Sequence, residues 1–288
     1  MKKIFIIWLL TSSIIFAQSN TESKILAQNA NYQYTQAHFN KSLRFVEFLI
    51  GTTLQESDKQ QMLQETIQNF NQNAIAVINE VNNIDTQMQQ LYQLTDVSQI
   101  ARIRSALIAQ IYINAQQNQQ AQQSFIVRML NKYVPLLAID TQNLWAFTYK
   151  DFEGFVKLMQ FNYQLAGQQV QFSQQDLLQL KNLLTQQFYS MTLAQKQYLC
   201  SMQTLSDYMI NVYAQMTPQQ KQQWAAQMQN NQSYTYNQTN NYQNTGKRGS
   251  GSNAAAMKIY YDSMMSNHAT MMNVFENYDS NRYWEYKY

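Results

Sequence analysis

Residues able to do chemistry are sparse in this chain. Its two histidines, His38 and His268, and its one cysteine, Cys200, are far apart in sequence. There is no His-Glu-x-x-His, no Cys-x-x-Cys and no pair at metal-ligand spacing. A thiolate–imidazole dyad would need Cys200 and a histidine to meet in space, and nothing in their local sequence calls for it. Cys200 lies in Tyr198-Leu199-Cys200-Ser201-Met202 and reads as a small buried apolar residue. A lone thiol could otherwise form only an intermolecular bridge. Asp151 and Glu153 flank Phe152, but alternate residues on a helix do not share a face. Asp207 and Glu276 stand among apolar and amide neighbours. A glycine-rich phosphate loop and a Gly-x-Ser-x-Gly elbow are both missing. These patterns argue against an enzyme and imply no metal and no cofactor.

Other spacings point to processing. Lys247-Arg248 is a dibasic pair between Gly246 and Gly249, open to an endoprotease if it sits in a flexible linker. Asn40, Asn231 and Asn237 each begin an Asn-x-Ser/Thr triplet, the acceptor for N-glycosylation. Asn231 and Asn237 fall where the chain reads as a linker, whereas Asn40 falls within a helix, a poor place for a transferase to reach.

Those sites have meaning only in a secretory lumen, and the amino terminus supplies that address. Met1-Lys2-Lys3 is basic, and Ile4 to Phe16 is apolar except for Thr11, Ser12 and Ser13. Ala17 is a small residue suited to signal-peptidase cleavage, and Gln18 onward is polar. This order reads as a secretory signal peptide over residues 1–17. The run is short for a membrane span, which needs about 20 apolar residues. An uncleaved anchor would tether the same domain.

Composition sets further bounds. The 288 residues can bury a substantial core. Lys and Arg number 20 against 17 Asp and Glu, so no electrostatic case exists for nucleic acid or an anionic surface. Charged residues are 13 % of the chain, against about 25 % in ordinary soluble proteins. Gln and Asn replace them, so the polar faces are amide-rich. Such faces repel one another weakly and favour self-association. A genetic code that reads stop codons as Gln would enrich the chain in the same way.

Six Gly and two Pro leave few breakpoints, and apolar residues recur at helical spacing throughout. A first helix is predicted over 22–50, ended by Gly51. A second, over 58–94, carries Leu63, Ile67, Phe70, Ala74, Val77, Val81, Ile84, Met88 and Leu91 at alternating spacings of four and three. That heptad seam would lie on one rod roughly 55 Å long. Leu63, Ile67, Phe70, Val77, Val81, Ile84, Met88 and Leu91 are therefore the candidate assembly seam, facing either a neighbouring helix of this chain or a second chain. A third helix is predicted from 95–98 to Pro135, with the amide stretch 114–123 either a solvated section of it or a loop. A fourth is predicted over 141–166, capped by Asp140 and stopped at Gly167. Ser173–Asp176, Thr192–Gln195 and Thr217-Pro218–Gln220 are start signals for further helices.

From 230 to 253 the chain loses aliphatic residues and reads as a disordered linker. A last helix over 254–278 is rich in Met and Tyr, and the tail to Tyr288 is aromatic. The predicted architecture is all-α: an elongated bundle of about six to eight helices over 18–229, the linker, and a C-terminal helix and tail over 254–288. The predicted function is a secreted or secretory-granule structural protein that assembles with itself or with another helical protein, without catalytic activity. The competing reading is a secreted recognition module presenting its C-terminal helix to a partner.

Overall fold

A computed structural model describes residues 25–94, 96–165, 167, 171–223 and 225–226. They are mostly helical, with two small antiparallel hairpins. The chain divides into two compact units. Among the described residues, unit 1 comprises those up to 94 and 103–146, and unit 2 comprises 96–102 and those from 147 onward.

The first hairpin corrects the helix predicted over 22–50. Strands β1 (Ile25–Asn29) and β2 (Tyr32–Thr35) pair antiparallel, with Asn29 opposite Tyr32. Between them Ala30 takes a left-handed conformation, φ 47°. In so short a segment the apolar residues fit a strand period as well as a helical one, and the choice is made by what the strands pack on. Helix α1 (Gln36–Ile50) follows, with Thr35 and His38 forming a reciprocal capping box. Gly51 closes it in the left-handed conformation, φ 68°, as the sequence predicts.

The rod predicted over 58–94 is two helices, α2 (Glu56–Gln72) and α3 (Ala74–Tyr92). Asn73 breaks it, leaving the α region (φ −151°, ψ 81°) to accept the Ala76 N–H on its side chain, 3.1 Å. Asparagine competes for backbone hydrogen bonds in this way, which is why it favours caps over helix interiors. Gln55 is the N-cap of α2, and its side chain makes no capping bond.

The third predicted helix is also subdivided, into α4 (Val97–Gln117), α5 (Gln119–Gln122) and α6 (Phe125–Tyr133). Asn118 and Ser124 make the breaks by capping the helices that follow them. The start of the fourth becomes a second hairpin, β3 (Leu136–Asp140) and β4 (Trp145–Thr148), before α7 (Tyr149–Leu165). Asp140 does cap backbone N–H groups, but those of a turn. Its Oδ1 accepts from Gln142 and Asn143, each at 3.0 Å. Helix α8 (Gln174–Gln187), a 3-10 turn at Phe188–Ser190, α9 (Leu193–Leu199) and α10 (Met202–Gln215) follow. The capping boxes at Ser173–Asp176 and Thr192–Gln195 both form, as do the reciprocal Thr217–Gln220 bonds.

In unit 1, α1 and α2 each pack on α3, all three pack on the first hairpin, and α6 packs on α1. Val46, Leu49, Phe70, Val81, Ile84 and Leu130 lie at the centre of that core. Arg104 of α4 is buried and donates from Nε to the Leu49 carbonyl at 2.9 Å, placing a cation at the C-terminal end of α1. In unit 2 the main interface is α7 against α10, with Phe155, Leu158, Met159, Leu205 and Met209 buried.

Candidate functional site

The group of side chains most displaced from ordinary chemistry lies inside unit 1. Tyr34 of β2 is fully buried. Its ring stacks on His38 and tilts against Phe70, with centroids 5.8 Å away in each case. Around its hydroxyl lie Ser42 of α1, Thr66 of α2 and Glu80 of α3, so four elements each contribute one polar group. No hydrogen bond of ordinary geometry reaches the Tyr34 hydroxyl. The Thr66 hydroxyl donates instead to the Met62 carbonyl, 2.8 Å. Glu80 is 8 % exposed.

The electrostatics follow from that burial. Desolvation pushes the Glu80 carboxyl up to about 8, so it holds its proton at neutral pH. Burial pushes the Tyr34 phenol well above its ordinary value; the Ser42 and Thr66 hydroxyls oppose the shift and Glu80 adds to it. Burial, then the charge of Lys41, holds the His38 imidazole below its ordinary value. Its Nδ1 accepts the Thr35 N–H at 3.1 Å, so that nitrogen is unprotonated. A protonated carboxyl of this kind can donate a proton or a hydrogen bond. No hydrogen bond joins His38 to Ser42, so the hydroxyl has no base beside it in this arrangement. Nor do the described residues contain a group of three metal-ligating side chains.

A second polar group clips α2 to α6. The Lys132 ammonium donates to both oxygens of buried Asp58, at 2.9 and 2.8 Å, and the Tyr133 hydroxyl donates to one of them. Two turns along α2, Glu65 pairs with Arg128. Lys132, then Tyr133, holds the Asp58 carboxyl below its ordinary range.

In unit 2, Asp151 is buried at the start of α7. Its Oδ2 accepts from the Thr148 N–H at 3.1 Å and the Thr148 hydroxyl at 2.6 Å, and Thr148 Oγ1 accepts the Asp151 N–H at 3.2 Å. The other oxygen accepts the Gln203 N–H at 3.4 Å, so the carboxylate also serves the N-terminus of α10. Three residues on, Gly154 meets the α10 backbone so closely that a Cβ there would stand 2.4 Å from the Met202 carbonyl oxygen.

The sequence-predicted sites are scattered across this frame. Phe70, Val77, Val81, Ile84, Met88 and Leu91 are buried within unit 1, while Leu63 and Ile67 are half-buried. The seam residues of α3 therefore line this chain's own interior. Asn40 is exposed on α1 and accepts from Gln36 Nε2 at 2.9 Å, but the hydroxyl residue of its triplet, Ser42, is buried. Cys200 is buried at the end of α9. Glu153 pairs with Lys150 and Asp207 with Lys157, each at 3.0 Å. His268, Glu276, Lys247, Arg248, Asn231 and Asn237 lie outside the described residues, as do the signal peptide, the linker and the C-terminal helix.

The Tyr34–Glu80 group was not anticipated from sequence. A signal existed: Glu80 is spaced three from Val77 and four from Ile84, a carboxyl on the apolar face of its helix. The described residues include no helix long and apolar enough to cross a membrane. No family model, curated protein or solved structure matches the chain.

Proposed function

We propose that the chain is a secreted or granule-stored helical protein that works by assembling with itself rather than by catalysis. The supporting observation is the surface of unit 2 across α8, the 3-10 turn and α9. Leu178, Tyr189 and Leu193 are 52, 63 and 56 % exposed there, among amide side chains such as Gln175, Gln179 and Gln187. Single exposed apolar residues are ordinary. Three large ones within sixteen residues, on a surface with little charge to keep copies apart, favour association. The α3 residues of the heptad pattern are occupied by the internal core, so this reading places the contact elsewhere, with unit 2 first. Processing at Lys247-Arg248 and glycosylation at Asn231 and Asn237 belong to the same secretory reading.

Multi-angle light scattering with small-angle X-ray scattering on residues 18–288, over a concentration range, tests it. Mass that grows with concentration, and falls back in a Leu178→Gln/Leu193→Gln variant, is the expected result. A monomer at every concentration refutes it and leaves the recognition module, with its C-terminal helix offered to a different protein.

A further inference from the structure

The outward face of α8 is built without charge. Asp176 is bound back to its own N-cap, its carboxylate accepting the Ser173 N–H at 3.1 Å and the Ser173 hydroxyl at 2.7 Å. Lys181 is half-buried and holds its ammonium over the Tyr149 ring, 5.9 Å from the centroid. Lys196, the charged residue of α9, is buried against the Phe188 ring. The core side of α8 is Leu180 and Leu184. On the other side Leu178 and Asn182 are exposed, with Thr185 half-buried beside them. The 3-10 turn at Phe188–Ser190 continues the helix and carries exposed Tyr189 onto the same stripe. Leu178, Asn182, Thr185 and Tyr189 are spaced by four, three and four, the same read from either end.

We propose that this stripe pairs with itself: α8 lies antiparallel to α8 of a second copy about a two-fold axis between Asn182 and Thr185, which sets Leu178 against Tyr189 of the second copy. The pairing rests on the self-assembly reading and gives that face a geometry. Each contact is made twice, as in any two-fold interface. Leu178 is covered by an aromatic ring at both ends of the contact. In the middle, Asn182 can donate to Thr185 of the second copy, whose hydroxyl gives its own proton to the Lys181 carbonyl at 2.8 Å and keeps its lone pairs for an incoming donor. Lys181 falls opposite Gln186 of the second copy, so like charges do not meet. A partner selected by charge would find none on this face, whereas the stripe complements itself.

A two-fold contact closes on itself, so this face makes a dimer and any larger assembly adds a second surface. One helix face buries less than the roughly 1,600 Å² of a stable complex, so the dimer dissociates on dilution.

Single cysteines in residues 18–288, oxidised at a concentration where the protein self-associates, test the pairing. The native chain, whose Cys200 is buried, is the control. Asn182, Leu178 and Tyr189 are all exposed, so substitution there leaves the core untouched. Along the paired helices Asn182 and its copy stand about 4–5 Å apart, and Leu178 and its copy about 16 Å. Asn182→Cys should therefore form covalent dimers by itself. Leu178→Cys and Tyr189→Cys should each stay uncross-linked alone and cross-link when the two are mixed. Leu178→Gln should raise the dimer dissociation constant at least about tenfold by sedimentation, since each dimer loses two buried leucines. Association in which Leu178→Cys cross-links with itself, or in which Asn182→Cys does not, overturns the antiparallel pairing and leaves self-assembly to another surface, as when the chain's own C-terminal segment covers this one. A monomer at every concentration removes self-assembly and the pairing together.

Discussion

Replacing Gly154 by Ala puts the packing of α7 against α10 to a quantitative test. An added Cβ would lie 2.4 Å from the Met202 carbonyl oxygen, 2.6 Å from its carbon and 2.7 Å from the Gln203 nitrogen. Ordinary contact begins near 3.4 Å, so the two helices must separate by about 1 Å. The obstacle is main chain, which cannot swing aside as a long side chain would. Overpacking of this kind costs about 1–3 kcal/mol, and a backbone obstacle puts this case at the upper end. The same shift lengthens the Asp151–Gln203 bond, already 3.4 Å, and loses up to about 1 kcal/mol more. Alanine's better helix propensity returns about 1 kcal/mol. The net destabilisation is about 2–3 kcal/mol, which for a unit of this size lowers its melting temperature by roughly 10–15 °C. Differential scanning calorimetry should show the transition of unit 2 falling by that amount while that of unit 1 stays in place. An unchanged or higher melting temperature would refute the reasoning, since propensity would then outweigh the close approach.

Substitutions at three other residues test the remaining polar groups. Asp58 is held below its ordinary value by Lys132 and Tyr133, so its contribution is present above about 3.8 and disappears as pH falls through the folded-state value; Asp58→Asn should flatten the acid limb of the urea-midpoint profile between pH 2 and 6. Asp151→Ala leaves the buried Thr148 N–H and hydroxyl without their acceptor and should cost about 2–3 kcal/mol by urea denaturation, with Asp151→Asn less damaging. Asn73→Ala removes the N-cap of α3 and should cost about 1 kcal/mol, whereas Asn73→Gly should be nearly silent; a stabilised Ala variant would mean that the break between α2 and α3 is maintained by packing alone.

Local chemistry was legible in the sequence wherever a few adjacent residues complete an interaction among themselves. Gly51 closes α1, and Ser173–Asp176, Thr192–Gln195 and Thr217–Gln220 form the predicted capping bonds, because each spans three residues and needs no distant partner. The apolar spacing of α3 likewise marked the face that lies inside. Helix interruptions were harder to read. Asn73, Asn118 and Ser124 resemble the amides and hydroxyls around them, yet each side chain accepts from backbone N–H groups of the helix that follows it. The two hairpins depended on tertiary structure more strongly still. A two-stranded ribbon is marginal alone, so residues 25–35 are strands because α1, α2 and α3 lie against them. The polar groups that matter most are tertiary products as well. Tyr34, Ser42, Thr66 and Glu80 come from four elements, and Asp58 lies 74 residues from Lys132. Periodicity along one helix specifies which side chains turn inward. Which distant groups they meet there, and whether a charge finds its countercharge, is decided by the packing of separate elements, to which a local pattern is blind.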